Sequence, residues 1–173
     1  MSGGAAAGGG QGARIVLERD TWLVEKFENP SEVQKLSEGQ MKHKVQVRDC
    51  RGLALQVEPK MNSLILDSCE DTRVCVNSLI ASVEIVNCKK IKIQVLGNVP
   101  SITIDKSQKV DLFLSKESKE VEITSSKSSE MNLNVPLEGE ENDWQEIPIP
   151  EQFHHKLKPD GKLHTRVSDL YTS

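Results

Sequence analysis

A parallel β-helix, all-β and wound in about six coils, is predicted by two features of this 173-residue sequence: a repeat of constant length, and a two-residue alternation of apolar side chains inside each repeat. Val45, Leu64, Val83, Ile102 and Val121 follow one another at intervals of 19 residues. Aligned on them, the segments read VQVRDCRGLALQV, LILDSCEDTRVCV, VEIVNCKKIKIQV, ITIDKSQKVDLFL and VEITSSKSSEMNL. The first and third columns (Val45/Val47, Leu64/Leu66, Val83/Ile85, Ile102/Ile104, Val121/Ile123) are apolar in every row. Later odd columns are mostly apolar too, as in Leu53/Leu55/Val57, Ile91/Ile93/Val95 and Val110/Leu112/Leu114. Each row therefore reads as two short strands joined by a tight polar corner. So short a unit cannot bury its own apolar face, and stacking the units supplies the core. The inward residues are β-branched or Leu in mixture, with no helical half and no fixed Asn, which separates the repeat from a leucine-rich one.

Taken in order, residues 1–13 form a Gly/Ala-rich leader too simple to pack, and the fold is expected to begin at Arg14. The stretch from Trp22 to Met41, with Trp22, Val24, Val33 and Leu36, has the length of one further, degenerate coil, as terminal repeats usually are. In the five regular rows the sixth column runs Cys50, Cys69, Cys88, Ser107, Ser126, and the column before each row runs Lys44, Ser63, Ser82, Ser101, Glu120. Small residues at equivalent places suit tight bends. The solenoid is expected over residues 14–135. An acidic connection follows over 136–155, where Pro136, Pro148 and Pro150 argue against regular strand or helix. Residues 156–173 read as a β-hairpin turning at Pro159-Asp160-Gly161, with Leu163, Thr165 and Val167 alternating against Lys162, His164 and Arg166. A lone hairpin is marginal in water, so it should pair with the open end of a solenoid, its own or that of a second copy.

Composition narrows the function. A net charge of −4 and a pI near 5.6 argue against nucleic acid as a partner. No apolar run approaches the roughly 18 residues of a membrane span, and no basic-then-apolar leader is present, so a cytoplasmic location is expected. Cys50, Cys69 and Cys88 share one column and would form a ladder rather than a tetrahedron. With Cys75 they read as reduced packing residues, and no metal is expected. His154 and His155 lie in a polar tail and read as solvated. Asp67, Asp71, Glu84 and Asp105 fall in different columns, unlike the carboxylate clusters of polysaccharide-cleaving β-helices. No cofactor and no enzymatic activity are expected.

The candidate binding surface is the polar set that alternates with the buried one. On the second strand of each row it holds Lys92 and Gln94, then Asp111 and Phe113, then Glu130 and Asn132, beside corner residues Lys89, Lys90, Lys109, Lys127, Ser128 and Ser129. Phe113 stands out as apolar in a polar column.

The segments Lys127-Ser128-Ser129-Glu130-Met131-Asn132 and Pro148-Ile149-Pro150-Glu151-Gln152-Phe153, within a likeness running from about Val16 to Tyr171, resemble the C-terminal domain of cyclase-associated proteins. The resemblance implies a right-handed β-helix that dimerises by exchanging its hairpin. Leu157, Lys162, Leu163, Thr165, Val167, Leu170 and Tyr171 would then lie in the homodimer. It also implies a non-enzymatic protein that binds monomeric, preferentially ADP-bound, actin and promotes nucleotide exchange, with sequestration of the monomer as the alternative. Members of the family usually carry an N-terminal helical domain, proline-rich segments and a WASP-homology motif, which this sequence lacks. It is therefore expected to be an excised domain or a short natural form, for which adenylyl cyclase binding is not expected. A second resemblance is to tubulin-folding cofactor C, whose β-helix stimulates GTP hydrolysis with an arginine finger. The matching strand, Lys44-Val45-Gln46-Val47-Arg48-Asp49-Cys50-Arg51, has Gln46 at the finger position, and a neutral amide cannot stabilise the developing charge.

Overall fold

The structure is a computed structural model that describes residues 12–118, 120–139 and 143–171, so the leader predicted over residues 1–13 lies, up to residue 11, outside the described residues. Two seven-stranded sheets wind around a common core. The first contains β1 (Arg14–Glu18), β2 (Thr21–Glu25), β4 (Lys44–Arg48), β6 (Met61–Asp67), β8 (Leu79–Val86), β10 (Ser101–Asp105) and β12 (Glu122–Ser126), side by side in that order. The second runs β3 (Gln34–Leu36), β5 (Ala54–Val57), β7 (Glu70–Val76), β9 (Lys89–Val95), β11 (Gln108–Phe113), β13 (Ser129–Pro136) and β14 (Trp144–Pro148). Pairing is parallel except at two places, β1 on β2 and β13 on β14, where an antiparallel strand lies over an end of the stack. The chain alternates between the sheets to make six coils, with the pair β2/β3 as the irregular first one.

Inward side chains stack coil on coil. Val24, Val47, Leu66, Ile85 and Ile104 form one such ladder, each fully buried. Burying one side chain of this size contributes about 1.5–3 kcal/mol, so the ladders hold the solenoid together.

The predicted register holds through four rows, since Val45 pairs with Leu64, Leu64 with Val83 and Val83 with Ile102. It fails in the last. Ile102 pairs with Ile123 rather than Val121, a step of 21 residues, and Ser101 pairs with Glu122 rather than Glu120. The two extra residues are taken up by a 3-10 turn at Lys116–Ser118. There the hydroxyls of Ser115 and Ser118 both donate to Gly97 O, at 2.7 and 3.0 Å, and Val99 N–H donates to Ser118 Oγ at 3.2 Å. A slip of two residues keeps inward side chains inward, whereas a slip of one would expose them all. Val121-Ile123 and Ile123-Ser125 therefore both fit the strand, and the true register accepts an exposed Ser125 where the predicted one offered an apolar residue. The end of the stack tolerates this because no further coil covers it. By the same shift Ser128, not Ser126, continues the corner column, as Ser107 N–H donates to Ser128 Oγ at 3.0 Å.

The N-terminal cap, β1 over β2, has no repeat signature and was not legible as an element. Its carboxylate Glu25, only 4 % exposed, accepts hydrogen bonds from Arg14 Nε and Arg48 Nε, each at 2.5 Å. At the other end, the proline-rich connection contains a strand after all. Trp144–Pro148 pairs with Asn132–Pro136, its proline at the last position and its outer side unpaired, which is where a strand tolerates proline. The predicted hairpin forms, but begins three residues before the expected 156, as β15 (Phe153–Leu157) and β16 (Leu163–Val167), a separate two-stranded sheet with every strand residue exposed, so that Phe153, His154 and His155 belong to a strand and not to the connection. It turns over residues 158–162, where Gly161 takes φ +79°, Gly161 N–H donates to Lys158 O and Lys158 N–H to Lys162 O.

Candidate functional site

The corner between the two sheets is built from a four-residue step whose first and last residues adopt left-handed backbone. In coil order the first positions are Lys26, Asp49, Ser68, Asn87, Lys106 and Lys127, at φ between 48° and 61°. The last positions are Asn29, Gly52, Asp71, Lys90, Lys109 and Glu130, at φ between 44° and 64°. Between them one side chain turns inward. Cys50, Cys69, Cys88, Ser107 and Ser128 each donate to the carbonyl two residues earlier, at 3.1 to 3.4 Å for sulfur and 2.8 to 2.9 Å for oxygen. This is why the column is Cys or Ser: the position needs a small side chain with a donor. The four cysteines are free, with Cys50, Cys69 and Cys88 buried. The neighbouring thiols of Cys50 and Cys88, together with burial, push the Cys69 thiol far above its ordinary range, so it stays protonated.

Left-handed backbone suits Gly, Asn and Asp, and costs other residues of order 1 kcal/mol. The earlier coils meet that preference at Asn29, Asp49, Gly52, Asp71 and Asn87, with Lys26 and Ser68 as exceptions, while the later ones place Lys90, Lys106, Lys109 and Lys127 there. Lys89 adds a fifth cation, and all five are exposed. Lys90 and Lys109 are neighbours in one column, and Lys106 and Lys127 in the other, so like charges face each other on adjacent rungs, an arrangement that destabilises. Among the described residues none of the five belongs to an ion pair. A shallow groove of about 670 Å³ runs between Lys89, Lys106 and Lys127, floored by Ser107, Gln108 and Ser129.

The outer face of the second sheet adjoins this corner. Register places Lys92, Asp111 and Asn132 in one column and Gln94, Phe113 and Asn134 in the next. Glu130, expected to follow Lys92 and Asp111, instead follows Lys90 and Lys109 at the corner, and Asn132, expected after Gln94 and Phe113, follows Lys92 and Asp111. The slip of two residues in the last coil is the cause. Asn134 is buried and donates from Nδ2 to Leu112 O at 3.1 Å. Phe113 meets the edge of Trp144 with ring centroids 5.3 Å apart and planes at 87°, so the lone aromatic of its column is the seat of the covering strand. The two rings wall a concavity of about 620 Å³ that also holds Arg73, Cys75, Lys92 and Gln94. The predicted surface residues Lys90, Lys92, Gln94, Lys109, Asp111, Phe113, Lys127, Ser129, Glu130 and Asn132 thus share one continuous surface over the last three coils, while the Ser128 hydroxyl is engaged inside the corner. Lys106 and Trp144 belong to the same surface and escaped the sequence reading. Lys106 was hidden because the fixed 19-residue step set Ser125 rather than Lys127 above it.

On the hairpin, alternation puts Phe153, His155 and Leu157 of β15 on one face with Leu163, Thr165 and Val167 of β16, and His155 Nδ1 lies 2.8 Å from Thr165 Oγ1. Leu157, Leu163 and Leu170 are 71 %, 64 % and 77 % exposed. The opposite face carries His154, Lys156, His164 and Arg166. Lys162 N–H donates to Asp160 Oδ1 within the turn, and the Tyr171 hydroxyl accepts from Glu151 N–H at 3.1 Å.

The arginine-finger reading finds Gln46 half-buried, and Arg48 clamped to Glu25, which raises the pKa of the guanidinium. Among the described residues no group of three or more His, Cys, Asp or Glu could hold a metal ion, and no helix is long and apolar enough to cross a membrane.

Residues 11–170 match the protein family described as adenylate cyclase associated (CAP) C terminal. An adenylyl cyclase-associated protein of Dictyostelium discoideum is 40% identical over 153 residues, covering 88% of this chain and 32% of that relative. Adenylyl cyclase-associated protein 1 of Bos taurus is 38% identical over 158 residues, 91% of this chain and 33% of its own length. The chain therefore spans about a third of the length of these relatives. The crystal structure of cyclase-associated protein from Cryptosporidium parvum matches with a TM-score of 0.86 at 47% identity, covering 95% of this chain and 99% of that one.

Proposed function

Since the chain belongs to the C-terminal domain family of the adenylyl cyclase-associated proteins, we propose that it binds monomeric actin, with preference for the ADP-bound form, and promotes exchange of the bound nucleotide. The observation that carries the reading is the surface of the last three coils, where five exposed lysines at a corner adjoin a flat sheet face bearing Phe113 and Trp144. Lys90, Lys106, Lys109 and Lys127, kept in left-handed backbone that Gly or Asn would adopt more readily, carry a local cost. Such costs mark functional surfaces.

No catalytic side chain is required. A protein that binds an open-cleft actin more tightly than a closed one shifts the population toward the open form and so speeds nucleotide loss. The exposed apolar face of the hairpin supports dimerisation by exchange of β15 and β16 between two copies, which would present two actin sites related by symmetry. The proposed setting is the cytoplasm, at the actin cytoskeleton. Cyclase association is what the names of the longer relatives record, and it forms no part of the activity proposed for this segment.

The test is release of a fluorescent ADP analogue from monomeric actin with and without the protein, repeated with a chain ending at Gln152. Faster release, lost with the hairpin, is the expected result. Slower release would replace exchange by sequestration, and no effect from a folded, dimeric preparation would overturn actin as the partner.

A further inference from the structure

Resting on the proposed dimer, we infer that Glu151 is a positioning residue, which clamps the hinge between the solenoid and the hairpin and thereby favours exchange of the hairpin over closure on its own solenoid. At the second left-handed position of the corner the backbone amide is satisfied by the coil above, as where Gly52 N–H donates to Glu70 O at 3.1 Å. Glu130 occupies that position in the last coil, where no coil follows. Its amide donates instead to a side chain, Glu151 Oε2, at 2.6 Å.

The path to that contact is continuous. Strand β14 pairs with β13 until Pro148 reaches Asn132, and Ile149 N–H then donates to Met131 O at 2.9 Å. Pro150 has no amide to give, so the next link is made by the carboxylate of Glu151. The backbone of the same residue holds the far side of the hinge. Glu151 N–H donates to the Tyr171 hydroxyl at 3.1 Å, and Ser168 N–H to Gln152 O at 3.0 Å, which ties the segment after β16 to the segment before β15. One residue thus joins the last corner of the solenoid to both ends of the hairpin.

The hairpin so held forms a sheet of its own, with Phe153, Leu157, Leu163 and Val167 exposed on one face. Strand β12 ends the first sheet and offers its outer edge. For the hairpin to close on β12 of its own chain, the four residues 149–152 must swing across the end of the stack, and that motion breaks the bond between Glu151 and Glu130. A short hinge under such constraint favours exchange with a second copy.

The experiment uses the full chain and the variants Glu151→Ala, Glu151→Gln and, as a control on the same connection, Glu146→Ala. Dimer dissociation is followed by light scattering over a concentration series, and the Glu130 amide by hydrogen exchange. Expected are a protected Glu130 amide in the wild type, faster exchange in Glu151→Ala with dimer dissociation strengthened about tenfold, near wild-type behaviour in Glu151→Gln, which keeps an acceptor oxygen, and no change in Glu146→Ala. A Glu130 amide that is unprotected in the wild type would overturn the clamp. So would a Glu151→Ala dimer of unchanged affinity in which that amide exchanges faster. A wild type that is monomeric at every concentration would overturn the dimer itself, and with it the premise.

Discussion

Glu25 sits where the first coil meets its cap, and its two arginine partners, Arg14 first and Arg48 with it, hold its carboxyl below the ordinary value of 4.5 against the opposing effect of burial. A carboxyl whose pKa is depressed in the folded protein adds stability above its unfolded pKa and loses that stability as pH falls through the lowered one. Glu25→Gln should therefore cost about 2 kcal/mol at neutral pH, and the difference from wild type should shrink as pH is taken below 4.5, a comparison made by thermal melts from pH 7 to pH 3. Lys109 invites the opposite kind of substitution. Glycine at its φ of 59° relieves a left-handed lysine while removing a cation. Lys109→Gly should keep stability within about 0.5 kcal/mol and slow ADP release from actin, and a loss of stability with unimpaired release would assign the lysine to the fold instead.

Among the elements, strand β14 shows what a residue pattern conceals. Pro136, Pro148 and Pro150 punctuate this stretch, and read singly they forbid regular structure, yet the five residues Trp144–Pro148 pair with β13, Pro136 and Pro148 included, because an edge strand needs amides on only one side. Trp144 fastens it through the ring of Phe113. Trp144→Ala should lower stability by about 1–2 kcal/mol, and the amides of Leu133 and Val135, which face β14, should exchange faster as β14 lifts off. Coils two to five were legible because period and apolar column agree at every step. The last coil was legible as a coil and misread in register, since a two-residue slip leaves the inward pattern intact. Strand β1 gave no signal, as it belongs to no repeat and is placed by antiparallel pairing with β2, with Ile15 in the core and Arg14 on Glu25, contacts that no spacing announces. Of the candidate surface, alternation alone found the face from Lys92 to Asn132. Lys106 depended on the register, and Glu151 on a hydrogen bond that no spacing predicts.

For the whole molecule, charge is unevenly spread: a chain of net charge −4 gathers five exposed lysines along one edge of its last three coils. A basic strip on an acidic body orients an approaching acidic partner, and the gain is screened as salt shortens the Debye length from about 14 Å at 50 mM to about 7 Å at 200 mM. Association with actin should accordingly slow several-fold over that range, and Lys106→Glu with Lys127→Glu should flatten the dependence in stopped-flow measurements. A salt-insensitive association rate would remove the corner from the encounter.

The six coils also give the protein a mechanical character. Each touches only the coil before it and the coil after it, so cohesion is passed along like tension in a zipper rather than shared across a globule. One end is fastened by Glu25 and β1. The other begins with β12, whose outer edge is bare and whose Ser125, in register with the buried Ile104, is exposed. Opening should start there and run toward the N-terminus, giving a gradient of amide protection that rises from β12 to β4. A partner seated on the last three coils would then act as a clasp at the weak end, and its binding should slow exchange in coils it never touches.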